Sequence, residues 1–286
     1  MSDTRLPETL PIDPADLAPG DARSASFDWS GLTAHLISRR DDPLFEPAYQ
    51  KLWDEFGSHH AMEQRGVIIS RLQWNPAEPI DRWCFLYRMV AVCRSGQPIA
   101  VRDCTAMLHR QFPGDVYVHL SHALVDPEHR GGGLAAWLRA FPVPIARRLH
   151  RAAGYAGPVS ITLMAEMEHH SPGDEMSRRR LASYGRANFQ KVDPSMVDYF
   201  QPDFRPPTEI DRAGGPMPLP YMLVVRRVGR ETESNILGGE VRHMVNALYS
   251  MYAVHSRQQD MVAAWRTMDR YPPADATIRL LPPLES

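Results

Sequence analysis

Apolar and polar positions change phase along this chain, and each change predicts an element. Leu32 to Ser38 reads as a first strand, stopped by Arg39-Arg40-Asp41-Asp42-Pro43. Leu44, Tyr49, Leu52, Trp53 and Phe56 then recur at helical spacing up to Gly57. Met62 to Leu72 predicts a second helix, although its Val67-Ile68-Ile69 fits a strand equally well. Trp83 to Arg94 and Ile99 to Leu108 are apolar runs on either side of Ser95-Gly96-Gln97-Pro98, which is a hairpin pattern. The turn Phe112-Pro113-Gly114-Asp115 leads into Val116 to Val125, so three antiparallel strands are expected in succession.

The strand then halts at Asp126-Pro127, and after Arg130-Gly131-Gly132-Gly133 a helical period begins at Leu134 and runs to about Arg151. Pro142 and Pro144 remove backbone donors, so this helix should break near Phe141 and resume near Ile145. Val159 to Met167 predicts a central strand, and Ser171 or Asp174 can cap a helix through Met176, Leu181 and Tyr184. Phe189 to Val192 and Tyr221 to Arg227 predict two more strands, separated by a long Pro-, Asp- and Gly-rich loop. Val241, Met244, Val245, Leu248, Met251 and Tyr252 share one face of a helical tail running from Leu237 to about Met268. Residues 1–26 show no period and few aromatics and are expected as a flexible or loosely draped arm, ahead of a domain at 27–228 and a helical extension at 229–286 packed on it.

Composition narrows the classes. Of 286 residues, 43% are hydrophobic and 23% charged, ordinary for a soluble globular protein. The formal net charge is −2, so no broad basic field is available and no nucleic-acid partner is expected. No run of about 18 apolar residues predicts a membrane span, and the N-terminus lacks a signal-peptide core, so no membrane role is expected. Cys84, Cys93 and Cys104 form no C-x-x-C pair and sit in strand-like surroundings, which suits a reducing cytoplasm.

Three consecutive glycines between a strand and a helix suit an anion. Glycine lets the backbone approach a ligand closely, and the helix start presents unpaired N–H groups and a positive dipole end. No lysine and hydroxyl follow as in a Walker A loop, and the basic region after the helix (Arg147, Arg148, Arg151) does not fit a dinucleotide fingerprint. The segment resembles motif A of the GCN5-related N-acetyltransferase (GNAT) superfamily. Arg130, Gly133 and Ala135 meet Arg/Gln-x-x-Gly-x-Gly/Ala, and Val125-Asp126-Pro127 stands in the Val-x-Pro position. Tyr184-Gly185-Arg186-Ala187-Asn188-Phe189 is similar to the family's Tyr-x-x-x-Gly-Phe, with Asn188 replacing a glycine whose left-handed conformation asparagine tolerates. Over roughly residues 30–228 the element order is also the family's.

The resemblance implies an α+β fold with a mixed, mostly antiparallel central sheet flanked by helices, and acetyl-CoA as cofactor. It implies that the backbone of Arg130, Gly131, Gly132, Gly133, Leu134 and Ala135 binds the CoA pyrophosphate. Leu124 and Val125 would hydrogen-bond the pantetheine arm where two strands splay apart. Tyr184 matches a tyrosine that often acts as general acid; a phenol is protonated at neutral pH. For the base, His119 stands where several family members place a catalytic glutamate, and an imidazole titrates near pH 6.5. Alternation places Ser121 and Ala123 on the face of His119, and His122 on the other. At the end of the next strand, Glu168 is a candidate for assisting deprotonation, and Glu166 and His169 for binding a cationic substrate, as is His122 on the strand of His119. Glu168-His169-His170 and His59-His60 invite a metal, but adjacent histidines diverge and no second ligand pair has the spacing, so none is expected. Arg178-Arg179-Arg180 reads as a solvated helix face, with a CoA 3′-phosphate contact as its other role.

The function this resemblance implies is acetyl transfer from acetyl-CoA to a small-molecule or peptide amine, by direct attack in a ternary complex. A second reading is a long-chain N-acyltransferase using acyl-CoA or acyl carrier protein, with the tail helices lining a chain tunnel. A third is a non-catalytic CoA-binding or interaction protein, with the tail as a homodimer interface. The acceptor pocket is expected from residues 57–80, 193–220 and the tail.

Overall fold

Alternation sorts the strand side chains onto two faces, and those faces organise the molecule. The computed structural model describes residues 8–57, 61–171 and 173–285. Its strands are β1 Glu8–Thr9, β2 Leu32–Ile37, β3 Trp83–Arg94, β4 Gln97–His109, β5 Asp115–His119, β6 Ala123–Val125, β7 Ser160–Glu168, β8 Gln190–Val192, β9 Tyr199–Gln201, β10 Leu219–Arg227, β11 Asn235–Leu237 and β12 Thr277–Leu281. They connect in the order β1-β2-β3-β4-β5-β7-β10-β8-β12-β11, with β6 on β4 and β9 on β10. All pairings are antiparallel except β5 with β7, where Asp115 to His119 run parallel to Ser160 to Met164. This is the mixed, mostly antiparallel sheet flanked by helices that the resemblance implies.

The first face carries Val90, Val92, Cys104, Ala106, Val116, Val118, Leu163 and Ala165. It is covered by α3 (Leu134–Ala140), α4 (Pro142–Ala152) and α5 (Glu175–Arg186). The second face holds two clusters: Tyr87, Met89 and Val101 under α1 (Phe45–Phe56) and α2 (Arg65–Leu72), and Met107, Tyr117, Met164 and Leu223 under α7 (Gly238–Ala253) and α8 (Gln258–Thr267). A short helix, α6 (Pro207–Arg212), interrupts the long loop. Val241, Met244, Val245, Leu248, Met251 and Tyr252 are all buried in this core. The apolar face of α7 thus packs onto the sheet.

The hairpin between β3 and β4 turns on Ser95 and Gly96, both at positive φ (50° and 79°), the two-residue turn whose twist matches that of the strands. The helix breaks at Phe141 as its prolines require, and Pro142 begins α4 at a position that needs no donor. Asn188 adopts φ 58°, the left-handed helix end anticipated for it, and its side chain accepts the Gly20 N–H at 2.6 Å. A glycine there could supply the turn but not that contact.

Residues 8–26 lie against the domain through polar contacts. Asp21 pairs with buried Arg139 through both carboxylate oxygens, Asp16 accepts from Arg147 at 2.6 Å, and Trp137 Nε1 donates to the Ser24 carbonyl at 3.0 Å. A Cβ on Gly20 would lie 1.8 Å from the Arg186 carbonyl oxygen, so the segment fits closely on the end of α5. Its anchors are polar and distant in sequence, which a search for apolar periodicity does not register.

Candidate functional site

After Leu120, whose N–H reaches the Met164 carbonyl at 2.7 Å, the chain leaves β7 and continues on β4 as β6. One edge of β6 therefore stays open, and a slot separates it from the upper half of β7. Hydrogen-bond direction alternates along an antiparallel strand. Asp126 donates to Ile99 and His122 accepts from Asp103, which turns the main chain of Leu124 to its partner Val101. The groups facing the slot belong to Ala123 and Val125. That corrects the pairing expected for Leu124, whose side chain instead joins the α1 cluster. Val125 keeps its place on the open edge, and its carbonyl accepts Arg130 Nε at 2.8 Å.

At the end of the slot lies the glycine loop. Gly131 and Gly133 adopt φ 84° and 105°, and Gly133 caps α3. The main-chain N–H groups of Gly131, Gly132, Gly133, Leu134 and Ala135 donate to no described residue, so consecutive donors stand open at the start of a helix. A Cβ on Gly133 would stand 3.1 Å from Ser24 Oγ, so the conformation and the packed arm both select glycine. These groups fit a diphosphate. The Arg178 and Arg179 guanidinium groups are held by Glu175, and Arg180 by Glu168.

Two histidines three residues apart have opposite surroundings. His119, on the second face, is 4% exposed, and its Nε2 lies 2.8 Å from Glu166 Oε2. Glu166 also accepts from Tyr199, from Tyr252 and, at 3.2 Å, from Gln201. Burial raises the Glu166 pKa, but the charge of His119 and the donated hydrogen bonds outweigh it and hold the carboxyl below its ordinary value. The other ring nitrogen, Nδ1, meets the half-buried Ser121 Oγ at 3.1 Å. A chain Ser121, His119, Glu166 thus leads from the slot into the core, where Glu166 can balance an imidazolium.

His122 is different. Its Nδ1 lies 3.0 Å from Asp103 Oδ1 and its Nε2 2.9 Å from the Ala61 carbonyl. Both partners only accept, so both nitrogens must carry protons and the ring is an imidazolium. Burial would depress its pKa, yet the charge and hydrogen bond of Asp103 prevail and push it up to about 9. Asp103 also accepts from Tyr87 at 2.9 Å. His122 is a fixed cation inside the protein, which corrects its reading as a substrate-binding residue.

The two glutamates change roles. Glu166, expected to bind substrate, is the buried partner of His119. Glu168, expected to assist deprotonation, is exposed at the end of β7 and paired with Arg180 at 2.7 Å, so it is not part of the His119 chain. His169 is exposed beyond it. Among the described residues no group of three or more His, Cys, Asp or Glu could hold a metal; His59 and His60 lie outside the described residues.

On the first face, Tyr184 stacks edge-on against Phe189 and lies under the Arg139 guanidinium. Its hydroxyl accepts from Arg102 Nη2 at 3.1 Å. Arginine has no acceptor, so the phenolic proton points elsewhere. Sequence reading passed over Arg102 inside an apolar run; the adjacent charges Arg102-Asp103 within a central strand were the available signal. A cavity of about 120 Å³ opens on the second face, between α2, the segment 203–210 and residues 252–260. Val67, Phe204 and Tyr252 form apolar walls, beside the ion pairs Glu63 with Arg71, Asp203 with Arg205 and Asp260 with Arg257.

No family model matches the chain, and no curated protein is similar to it at the sequence level. Among solved structures, a probable acetyltransferase from Staphylococcus epidermidis is 11% identical and overlaps with a TM-score of 0.38, over 68% of this chain and 98% of that one. An acyl-CoA N-acyltransferase from Pseudomonas aeruginosa is 17% identical, with a TM-score of 0.36 over 68% and 99%. An aminoglycoside acetyltransferase from an uncultured soil metagenomic sample, in complex with sisomicin, is 9% identical, with a TM-score of 0.32 over 54% and 87%. Overlaps this loose say nothing about activity or substrate.

Proposed function

We propose that this protein is a CoA-dependent N-acyltransferase that moves an acetyl group to an amine by direct attack. The observation that carries this is the slot. Open N–H groups stand at one end, and at the other a hydroxyl-linked histidine on one face opposes a tyrosine on the other. Gly131 to Ala135 would hold the diphosphate of the donor, and Ala123 and Val125 its amide-bearing arm, as a strand partner would. Bound acetyl-CoA supplies the activated acyl carbon.

The chain's own residues carry the proton steps. The amine gives up a proton through Ser121 Oγ to His119 Nδ1, and Glu166 balances the charge. Tyr184 directs its proton into the slot toward the departing sulfur. Together these residues remove one proton and return one, so their net charge does not change. The second-face cavity, whose wall Tyr252 is hydrogen-bonded to Glu166, is the acceptor site in this reading.

Calorimetry with acetyl-CoA, CoA and longer acyl-CoAs tests the donor. Saturable heat with acetyl-CoA, reduced in Gly133→Ala, is expected; no heat with any of them contradicts the reading. Thiol release over a panel of amines then identifies the acceptor.

A further inference from the structure

Arg102 is 2% exposed, and no carboxylate among the described residues pairs with it. Nη2 donates to the Tyr184 hydroxyl, while Nε and Nη1 have no partner. A buried guanidinium with unfilled donors is costly, and such exceptions ask for a missing acceptor. A compensated cation on the same tyrosine shows the contrast: Arg139, over the ring of Tyr184, has both oxygens of Asp21.

Register places the guanidinium. Arg102 on β4 lies opposite Ala123 on β6, and its side chain reaches over the first face to Tyr184 on α5. It therefore spans the slot near the level of Ala123, beyond Val125 and farther from the glycine loop. A donor held by the loop and laid along the open edge brings its reactive end there.

We propose that Arg102 is the binding site for the sulfur of CoA as a thiolate, an inference that rests on the donor reading above. The nitrogen of the acceptor forms its bond to the acyl carbon, and the carbon–sulfur bond breaks with its electron pair leaving on sulfur. The amine proton goes to His119 through Ser121. The sulfur, neutral in the thioester and anionic on departure, meets the Nε–H and Nη1–H of Arg102 and takes its proton from Tyr184. Water then restores the Tyr184 proton and removes the one on His119. A cation that meets charge developing only as the bond breaks favours the transition state over the bound donor.

Arg102→Met and Arg102→Lys test this, with Tyr184→Phe for comparison. In the wild-type protein, CoA affinity should rise with pH as the bound thiol ionises below the pH at which free CoA does, seen also as ultraviolet thiolate absorbance. Arg102→Met should abolish both signatures and lower kcat about 100-fold with little change in KM for the donor. Its Tm should not fall, because a buried unpaired charge has been removed. Arg102→Lys keeps a charge and should recover part of the thiolate signal, a readout that serves if the methionine variant does not fold. Unchanged pH dependence of CoA binding in either variant, or kcat within twofold of wild type in Arg102→Met, overturns the proposal and leaves the donor reading intact. No CoA binding by the wild-type protein overturns both.

Discussion

His119 and His122 stand three residues apart, both buried and both against a carboxylate, yet only one is arranged to exchange a proton. His122 has acceptors on both nitrogens, Asp103 and the Ala61 carbonyl, and is held as a cation. His119 has Glu166 on one nitrogen and on the other a serine hydroxyl, which can donate or accept. A histidine–carboxylate pair becomes a usable base when its second nitrogen faces an exchangeable group. The fully saturated pair is scaffold.

The largest expected effect follows directly. His119→Gln keeps a donor for Glu166 but removes the base, and kcat should fall about 10²- to 10⁴-fold in steady-state assays on folded protein. An activity within tenfold of wild type would remove His119 from the chemistry. Conversely, Asp103→Asn should cost about 3–5 kcal/mol in chemical denaturation, because it leaves the His122 cation unpaired. Activity per folded molecule should stay near wild type.

A pH titration sharpens the contrast. The folded pKa of His122 lies above its unfolded value near 6.5, so its stabilisation is full below pH 6.5 and is lost as pH rises through about 9. Urea midpoints should therefore decline across that window in the wild-type protein and change less in His122→Gln. Equal slopes would mean that the ring is not held as a cation.

Smaller effects are expected at the glycine loop and the serine. Gly133→Ala forces a side chain onto φ 105° and should cost about 1–3 kcal/mol of stability, with a raised KM for the donor. Ser121→Ala removes one neutral hydrogen bond, about 1 kcal/mol, so kcat should fall roughly fivefold in steady-state assays.

Local chemistry made much of this legible in the sequence. The turn at Ser95-Gly96, the break at Phe141, the glycine loop and the left-handed Asn188 each follow from residues adjacent in the chain. What was hidden depends on distance or direction. Asp21 meets Arg139 across 118 positions, so the arm looked free in sequence. Glu166 and Glu168 share a strand face, and only the strand's end distinguishes the buried one from the exposed one. The outward direction of Ala123 and Val125 is fixed by how β6 registers on β4. The tail reads as helices, yet β12 closes onto β8, with Leu280 opposite Val192. Arg102 was obscured by the apolar run around it.

The most direct test of the account is amide hydrogen exchange read by mass spectrometry, with and without acetyl-CoA. Protection confined mainly to residues 121–135 and the neighbouring end of α5 is the predicted result. Absence of protection, or protection elsewhere with residues 131–135 unaffected, would contradict the placement of the donor in the slot.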